Sequence, residues 1–577
     1  YDHSKTTAGL ALCLYDYLEE RGISDYRKAL FSGNLSRSYY KERMFLLVSC
    51  DMSGIQDFIY DISGSKALKQ LRARSLYLEL MMEHIVDELL DRLSLNRTNV
   101  MYTGGGHAYL LLPNTLNAKN VLIQFKNELK EWFVHEHGTN LFMAFASIEC
   151  SADDLSNAGE DKQRFPNLFR KLSAKLSNAK AMRYSAADIK AMNFAAQSHF
   201  DDGRECRECH RSTALASNDD ICKTCESLQD ISADLVSKSV FAIVDDSCGN
   251  PRHRQLSLPF GANLVLYERN CYLKEKPEVR RVYTKDWDAG TNLATHIWMG
   301  DYTADTDGEG ISSYAGSAIT LDGGKGIKRL GVLRADVDNL GAAFAGGIPA
   351  NKASISRTAT LSRSLSLFFK SQVNEILKSG QYRLQVIYSG GDDLFIVGNW
   401  SDVLYAALDL RKSFKEFTGN GVLTISAGIG MFDEKYPIAR MATETGELED
   451  AAKLYVENCP DGGIRTKNAV ALWNLDSVFS WDDLADIVEP RVREVASIFK
   501  ENDKGKAFIY KMVSLLRNYD DVISAPRLAY LLARSFEDAE NRDELCQKFY
   551  SWASTDSDRR CLVAALEWYV YSIRERE

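Results

Sequence analysis

Two adjacent carboxylates, Asp392 and Asp393, follow two glycines in Tyr388-Ser389-Gly390-Gly391-Asp392-Asp393-Leu394-Phe395. Neighbouring acids repel, and a bound divalent cation offsets that repulsion. The glycines let the backbone turn sharply and let a bulky ligand approach it. Upstream, Leu330-Gly331-Val332-Leu333-Arg334-Ala335-Asp336-Val337-Asp338-Asn339 reads as a strand ending in Asp-x-Asp. Three carboxylates beside a glycine turn suit two Mg²⁺ or Mn²⁺ ions, which activate an attacking hydroxyl and steady a leaving pyrophosphate. The metal set is then Asp336, Val337, Asp392 and Asp393, with Asp336, Asp392 and Asp393 catalytic. Backbone N–H groups from Val337 through Asp338, Asn339 and Leu340 to Gly341 offer a triphosphate cradle where strand gives way to helix. Ser389, Gly390 and Gly391 line the turn. Lys453 and Lys467, the latter after Asp461-Gly462-Gly463, are candidates to neutralise phosphate charge, against the plainer reading of surface lysines.

The elements that must hold these residues are legible on either side. Leu384, Val386 and Tyr388 alternate into the turn and an apolar run leaves it, which predicts a β-hairpin. Leu361, Leu365, Phe368, Phe369, Val373, Ile376 and Leu377 recur at helical spacing, with Gly380 as C-cap. A helix over about Asp402–Phe417 with Ser401 as N-cap, a strand at Leu423–Ile429 and a helix around Ala439–Val456 complete the series. The order β-α-β-β-α-β-α predicts a ferredoxin-like sheet, in which Asp336, Asp392 and Asp393 converge.

The same pattern occurs earlier. Phe45-Leu46-Leu47-Val48-Ser49-Cys50-Asp51 is a strand ending in an acid, and Tyr102-Thr103-Gly104-Gly105-Gly106-His107 is a hairpin with a glycine turn. Tyr102-Thr103-Gly104-Gly105 aligns with Tyr388-Ser389-Gly390-Gly391, and Asp51 with Asp336. The spacing from acid to first glycine differs by one residue between the copies, and Leu141–Ile148 matches the strand at Leu423. This is an internal repeat of a whole domain. Gly106-His107 stands where Asp392-Asp393 stands in the second copy, so the first copy has lost the paired acids. A glycine turn without acids still offers backbone N–H groups to a phosphate or base. His107 is expected to pack or to contact nucleotide. Lys66-Ala67-Leu68-Lys69-Gln70-Leu71-Arg72-Ala73-Arg74 reads as a basic helical stretch, with a solvated face as the plainer reading.

Between the copies, Cys206-x-x-Cys209 and Cys222-x-x-Cys225 are separated by twelve residues. Two CxxC pairs at such spacing predict a structural Zn²⁺ site closed by four thiolates, with His210 able to replace one cysteine. Residues from about 240 to 328 read as mixed strand and loop, with Asp301–Gly316 an exposed loop. From about Trp481, apolar residues at helical spacing (Val492–Phe499, Ala507–Leu516, Leu528–Phe536, Leu562–Ile573) predict a helical bundle. Its Lys511, Arg517, Arg527 and Arg534 are candidates to meet RNA or a neighbouring protein.

The chain has 577 residues, room for roughly three to five domains. Its net charge of −10 does not advertise nucleic-acid binding overall. No apolar run reaches membrane-spanning length and no signal peptide is evident. Of twelve cysteines, eight are scattered, which beside a thiolate cluster indicates a reducing cytoplasm. The chain begins at Tyr1 rather than Met, so an upstream segment is expected. Residues 1–40 are helical, and Asp2-His3 lacks a companion His-Asp pair to complete a metal site.

Together these features resemble the large subunit of type III-A CRISPR effector complexes. The stretches Asp51-Met52-Ser53-Gly54-Ile55-Gln56-Asp57-Phe58-Ile59, Leu71-Arg72-Ala73-Arg74-Ser75 and Leu333-Arg334-Ala335-Asp336-Val337-Asp338-Asn339-Leu340-Gly341 are similar to that family's local signatures, and Tyr1–Ala8 resembles the tail of its amino-terminal HD domain. The resemblance implies an α+β multidomain protein. Residues 1–40 are an HD remnant, 41–198 a first palm, 199–328 a zinc-binding linker domain, 329–475 the catalytic second palm and 476–577 the bundle. It implies an RNA-activated nucleotidyltransferase that joins ATP 3′ to 5′ into cyclic oligoadenylates, within a complex of other subunits, guide RNA and target RNA. Asp336, Asp392 and Asp393 would hold two metals at the donor ATP. Ser53, Gly54 and the Gly104-Gly105-Gly106 turn would seat the acceptor. A GTP-using cyclic-dinucleotide synthase and a non-enzymatic ribonucleoprotein scaffold are the competing readings. No deoxyribonuclease activity is expected of these residues, because Asp2 and His3 cannot alone assemble a two-metal nuclease.

Overall fold

The computed structural model describes residues 1–60, 62, 67–157, 163–195, 205–210, 220–232, 235, 238–248, 253–286, 294–304, 311–316, 326–349, 351–419, 421–458, 464–519 and 521–574. They form two compact units. One contains Tyr1–Asp301, Asn339–Val373 and Ile387–Asp393; the other contains Tyr302–Asp338, Asn374–Val386 and Leu394–Glu577. The units cut across the sequence-based boundaries. The glycine turn and its two acids, with the helical segment before them, group with the first repeat.

In the first unit, β1 (Phe45–Ser53), β2 (Val100–Gly104), β3 (His107–Pro113) and β4 (Phe142–Cys150) form a sheet in the order β2-β3-β1-β4. β1 is antiparallel to both neighbours, and Asp51 faces His107 on β3 and Ala144 on β4. Helix Ala67–Arg92 connects β1 to the hairpin, helix Leu116–His137 connects β3 to β4, and helix Arg164–Ala181 follows β4. β1 is apolar from Phe45 to Val48 and buried there, as a central strand flanked on both edges must be. Phe45, Leu47, Leu111, Ala144, Phe165, Phe169 and Leu172 share one core with Cys13 and Tyr17 of helix Asp2–Glu20. A separate sheet, β6-β7-β5-β8-β9, is built from β5 (Val240–Asp245), β6 (Gln255–Leu258), β7 (Ala262–Tyr267), β8 (Arg281–Thr284) and β9 (Thr295–His296).

The second repeat follows the same plan. β10 (Leu330–Val337), β11 (Leu384–Ser389), β12 (Asp393–Asn399) and β13 (Ile425–Phe432) run in the order β11-β12-β10-β13. After β14 (Val456–Asn458) and β15 (Ile464–Thr466), the strands β16 (Ala469–Leu472) and β17 (Val478–Ser480) extend the sheet beyond β13. Gly428 on β13 is required by packing: a Cβ there would stand 2.5 Å from the backbone of Thr445 and Glu449 on helix Ile438–Lys453.

Several boundaries differ from expectation. The helix after β12 begins at Trp400, and its N-cap is Asn399, whose side chain accepts from the Ser401 N–H. The following strand starts at Ile425 rather than Leu423, and helix Ile438–Lys453 ends before Val456, which opens β14. The carboxy-terminal region contains the four expected helices and a further one, Arg542–Ala553. Its buried Leu545, Phe549 and Ala553 mark only one narrow stripe in a polar sequence. Arg517 of this region is ion-paired with Glu567, and Arg534 donates to Tyr530.

Candidate nucleotide and metal sites

In the first unit the two glycine turns meet tip to tip. A Cβ on Gly391 would stand 2.0 Å from Tyr102 Oη, and one on Gly105 would stand 3.3 Å from Asp392 Oδ1 and 3.8 Å from Tyr388 Oη. Each tyrosine also folds over its own turn. Tyr102 Oη would be 2.8 Å from a Cβ on Gly104, and Tyr388 Oη 2.7 Å from one on Gly390. The aligned residues therefore act reciprocally, each tyrosine covering its own first glycine and reaching the other turn. Gly105 and Gly106 have φ of 58° and 78°, which glycine adopts at little steric cost.

Charge is concentrated at these tips. Asp393 accepts from the Tyr388 hydroxyl, and Gly390 N–H donates to the Asp393 carbonyl at 2.9 Å. Burial, then the charges of Asp392 and Asp393, push the Tyr102 and Tyr388 hydroxyls well above their usual range. Two carboxylates among buried aromatics form a donor set that a divalent cation fits, because it offsets their mutual repulsion. Behind the turns lies a cavity of ≈30 Å³, room for one water, lined by residues including Glu79, Glu83, Gly104, Lys370 and Ser389. Buried Lys370, in the π-helical segment Phe368–Gln372, is ion-paired with Glu79.

Asp336 belongs to the second unit, on β10. Lys453 Nζ lies 2.7 Å from Asp336 Oδ2 and also pairs with Glu449, which Arg334 Nε holds at 2.7 Å. The expected phosphate ligand Lys453 is thus engaged with the expected metal ligand. Asp338 is corrected outright as a nucleotide ligand. It is buried, and its carboxylate accepts from Thr424 Oγ1 (2.7 Å), Ser426 Oγ (2.8 Å) and Asn468 N–H (3.0 Å), while its own N–H donates to Thr424 O. Val337 is buried, whereas Asn339 is exposed with φ 55°, at the cap of a short helix through Leu340 and Gly341. Lys467 is half-buried with φ 60°, its N–H on Tyr455 O; the preceding Asp461-Gly462-Gly463 lies outside the described residues.

Other expectations are corrected by packing. Ser389 is buried and its hydroxyl donates to Phe369 O at 2.7 Å, so it braces the turn. Gly54, φ 90°, has Asn140 O only 1.8 Å from where its Cβ would be, and Gly106 has Ile55 Cδ1 at 2.1 Å; close packing explains both glycines. Ser53 ends β1. His107 is committed to Asp51, with Nδ1 2.8 Å from Asp51 Oδ2 and Nε2 3.1 Å from Ser49 Oγ. Lys180 Nζ, on the last turn of helix Arg164–Ala181, donates to Asp51 Oδ1 at 2.7 Å. Nothing in the sequence reading marked Lys180. Its signal was its place, at the end of the long helix that follows the fourth strand, where Lys453 stands in the second repeat. Asp2 is no metal ligand beside His3: it is buried and bound by Arg363, Nε and Nη2 both 2.9 Å away.

The four Sγ atoms of Cys206, Cys209, Cys222 and Cys225 lie within 4.8 Å of one another. Cys222 N–H donates to Cys206 Sγ at 3.2 Å, and Arg74 Nη2 to Cys225 Sγ at 3.6 Å. This donor set fits a tetrahedral dication. His210 is not part of it; its Nδ1 pairs with Glu205. Arg74, in the stretch for which a solvated face is the plainer reading, is instead buried, its Nη1 on Phe58 O at 2.7 Å. Lys66 of that stretch lies outside the described residues.

Comparison with known proteins places the chain in a family. Family models match at residues 44–195 (Csm1 subunit domain B), 329–459 (Cas10/Cmr2, second palm domain) and 491–575 (CRISPR RNA silencing complex Cmr2 subunit, second helical domain). A relative from Enterococcus italicus, named CRISPR system single-strand-specific deoxyribonuclease Cas10/Csm1 (subtype III-A), is 46% identical over 587 residues, which cover 100% of this chain and 73% of that protein. The chain belongs to the Cas10/Csm1 family of subtype III-A. Similar solved structures include a Csm1-Csm4 cassette in complex with one ATP (25% identity, TM-score 0.74) and one in complex with cA4 (25%, 0.73). Each match covers 100% of this chain and 74% of the other. The two repeats are therefore the palms of a Cas10/Csm1 subunit, followed by a carboxy-terminal helical region. Among the described residues, no helix is long and apolar enough to cross a membrane.

Proposed function

We propose that this chain is the nucleotidyltransferase of a cytoplasmic type III-A CRISPR effector. It joins ATP 3′ to 5′ into cyclic oligoadenylates when guide RNA in its complex pairs with target RNA. The observation that carries the reading is the reciprocal meeting of the two glycine turns, with Asp392 and Asp393 on one turn only. Two turns of like shape and unlike charge suit two nucleotides in unlike roles. The cassettes solved with ATP and with cA4 support adenylate chemistry.

In this reading each palm is a ferredoxin-like unit, and residues 41–198 and 329–475 are the two palms, with a zinc-binding linker domain at 199–328. Asp336, Val337, Asp392 and Asp393 would hold two Mg²⁺ or Mn²⁺ ions, which supply a Lewis acid for the attacking hydroxyl and the leaving pyrophosphate. The N–H groups around Asn339, Leu340 and Gly341 bind the donor triphosphate, with Lys453 beside it. Gly104 and Gly105 position the acceptor by backbone contact, and catalysis there is orientation. Cys206, Cys209, Cys222 and Cys225 hold a structural Zn²⁺. Other subunits of the complex, including a Csm4-like one as in the solved cassettes, supply its RNA context. Cleavage of single-stranded DNA, the activity in the relative's name, is not assigned to Asp2 and His3.

The test is the complex assembled with guide RNA, given labelled ATP or GTP with Mg²⁺ or Mn²⁺, with and without matching target RNA. Target-dependent cyclic oligoadenylate, lost in Asp392→Ala/Asp393→Ala, is expected. A complex that binds target yet makes no nucleotide product would leave the scaffold reading in its place, and a GTP product would move the reading to the dinucleotide synthases.

A further inference from the structure

Away from the palms, three side chains of different donor chemistry converge beside the β6-β7-β5-β8-β9 sheet. Cys271 and Glu275 lie four residues apart on helix Arg269–Glu275, hence on one face of it. His253 stands just ahead of β6. One donor atom from each can be chosen so that all three lie within 4.8 Å of one another. Glu275 joins them: its Oε2 is 2.7 Å from His253 Nε2, and its Oε1 accepts from Cys271 Sγ at 3.3 Å. The imidazole is backed by the buried Tyr267 ring, 4.5 Å away between centroids, which fixes its plane. The side chains of His253 and Glu275 are 15% and 30% exposed, so the site is reachable from solvent.

We propose that His253, Cys271 and Glu275 form a second metal centre, separate from the four-cysteine site, that takes Zn²⁺ with three protein ligands. Three arguments carry it. A thiolate with an imidazole selects a borderline-soft cation over Mg²⁺ or Ca²⁺, which favour all-oxygen shells. Thiolate and carboxylate together bring two negative charges, so a divalent ion leaves a neutral site, which a partly buried position tolerates best. Distances agree as well. With Zn–S of about 2.3 Å and Zn–N or Zn–O of about 2.0–2.2 Å, tetrahedral donors stand roughly 3.3–3.7 Å apart. The separations of 2.7 and 3.3 Å, which run to the two different oxygens of Glu275, and a third that stays within 4.8 Å need change by roughly 1 Å to reach that shell, within the reach of side-chain torsions. The fourth position faces solvent, where water or an outside donor completes the shell.

The experiment counts zinc. Full-length chain is dialysed against low-micromolar free Zn²⁺, and metal per chain is measured by mass spectrometry. The variants are His253→Ala/Cys271→Ser and, separately, Glu275→Gln, which keeps the side chain's size but exchanges one accepting oxygen for an NH2 donor and makes a poor zinc ligand. Both variants are expected to hold one zinc fewer per chain than the parent, with unchanged circular dichroism. Because the readout is a difference, it does not depend on how the four-cysteine site is loaded or on nucleotide chemistry. Equal zinc in parent and Glu275→Gln overturns the proposal and leaves a hydrogen-bonded triad.

Discussion

The two palms spend the same inherited parts differently. Each has an acid near the end of its first strand, Asp51 or Asp336, and each acid meets a lysine from the last turn of the helix after the fourth strand, Lys180 or Lys453, at 2.7 Å. In the first palm His107 takes the other oxygen of Asp51, so both oxygens are engaged by cationic or N–H groups. The chain position of His107 is one that Asp392-Asp393 makes acidic in the second palm. A site that closes its own charge balance has little left to attract a dication, whereas adjacent carboxylates have charge to spare. The two sheets keep one strand order, so Gly106-His107 can stand in place of the paired acids without loss of the fold.

The largest expected effect breaks this symmetry directly. Asp336→Asn is expected to cut nucleotide product roughly a thousandfold, the scale of removing a charge stabiliser from a reacting centre. Asp51→Asn, at the equivalent place, is expected to leave turnover within about tenfold and instead to destabilise the fold by roughly 2 kcal/mol, since Lys180 and His107 lose their carboxylate. Turnover per active complex and thermal melting of both variants check the pair. Equal loss of turnover in both would mean that Asp51 also serves the chemistry.

An intermediate effect tests the meeting of the turns. Gly391→Ala puts a methyl 2.0 Å from where Tyr102 Oη now lies, so tyrosine or turn must move. A shift of about 1 Å in a catalytic turn is expected to cost roughly a hundredfold in turnover. Tyr102→Phe removes that hydroxyl and is expected to restore a good part of the loss in the double variant. A double variant no better than Gly391→Ala alone would mean that the glycine answers to nucleotide rather than to Tyr102. Single and double variants assayed together give the coupling.

Both β-α-β-β-α-β runs, their glycine turns and the four-cysteine site were legible because each rests on local pattern: alternation, helical period, CxxC spacing. What stayed hidden depends on which side chain a distant backbone happens to face. Asp338 looks like part of a triphosphate cradle beside Asp336, yet its carboxylate points at Thr424, Ser426 and Asn468, a bonding set far away in sequence. Arg74 looks like part of a solvated basic face, but its guanidinium is buried against Phe58 O and a cysteine sulfur far away in sequence. Ser389 sits in the turn and serves a carbonyl behind it. Period and spacing name an element and its faces; they do not say what packs on each face. The aligned lysines were findable, because the repeat that pairs Asp51 with Asp336 also pairs the helices that carry Lys180 and Lys453.

The smallest effect concerns those lysines and separates structural from chemical use of one ion pair. Burial alone would push the Asp51 carboxyl up, but His107 and then Lys180 outweigh it and hold the group below the usual carboxylate range. A folded-state value below the unfolded one means that this stability is fully present above about pH 4 and is lost as pH falls through the folded value. Lys180→Met is therefore expected to lower stability by about 1 kcal/mol at neutral pH and to flatten the acid limb of the melting profile, with the ATP KM unchanged. Lys453 pairs with an acid assigned to metal, so Lys453→Met is expected to raise the ATP KM severalfold. Melting profiles from pH 3 to 7, read beside KM, distinguish the two. A raised KM in Lys180→Met would show that the first palm uses its lysine on nucleotide as well, and the contrast between the palms would narrow to the acids alone.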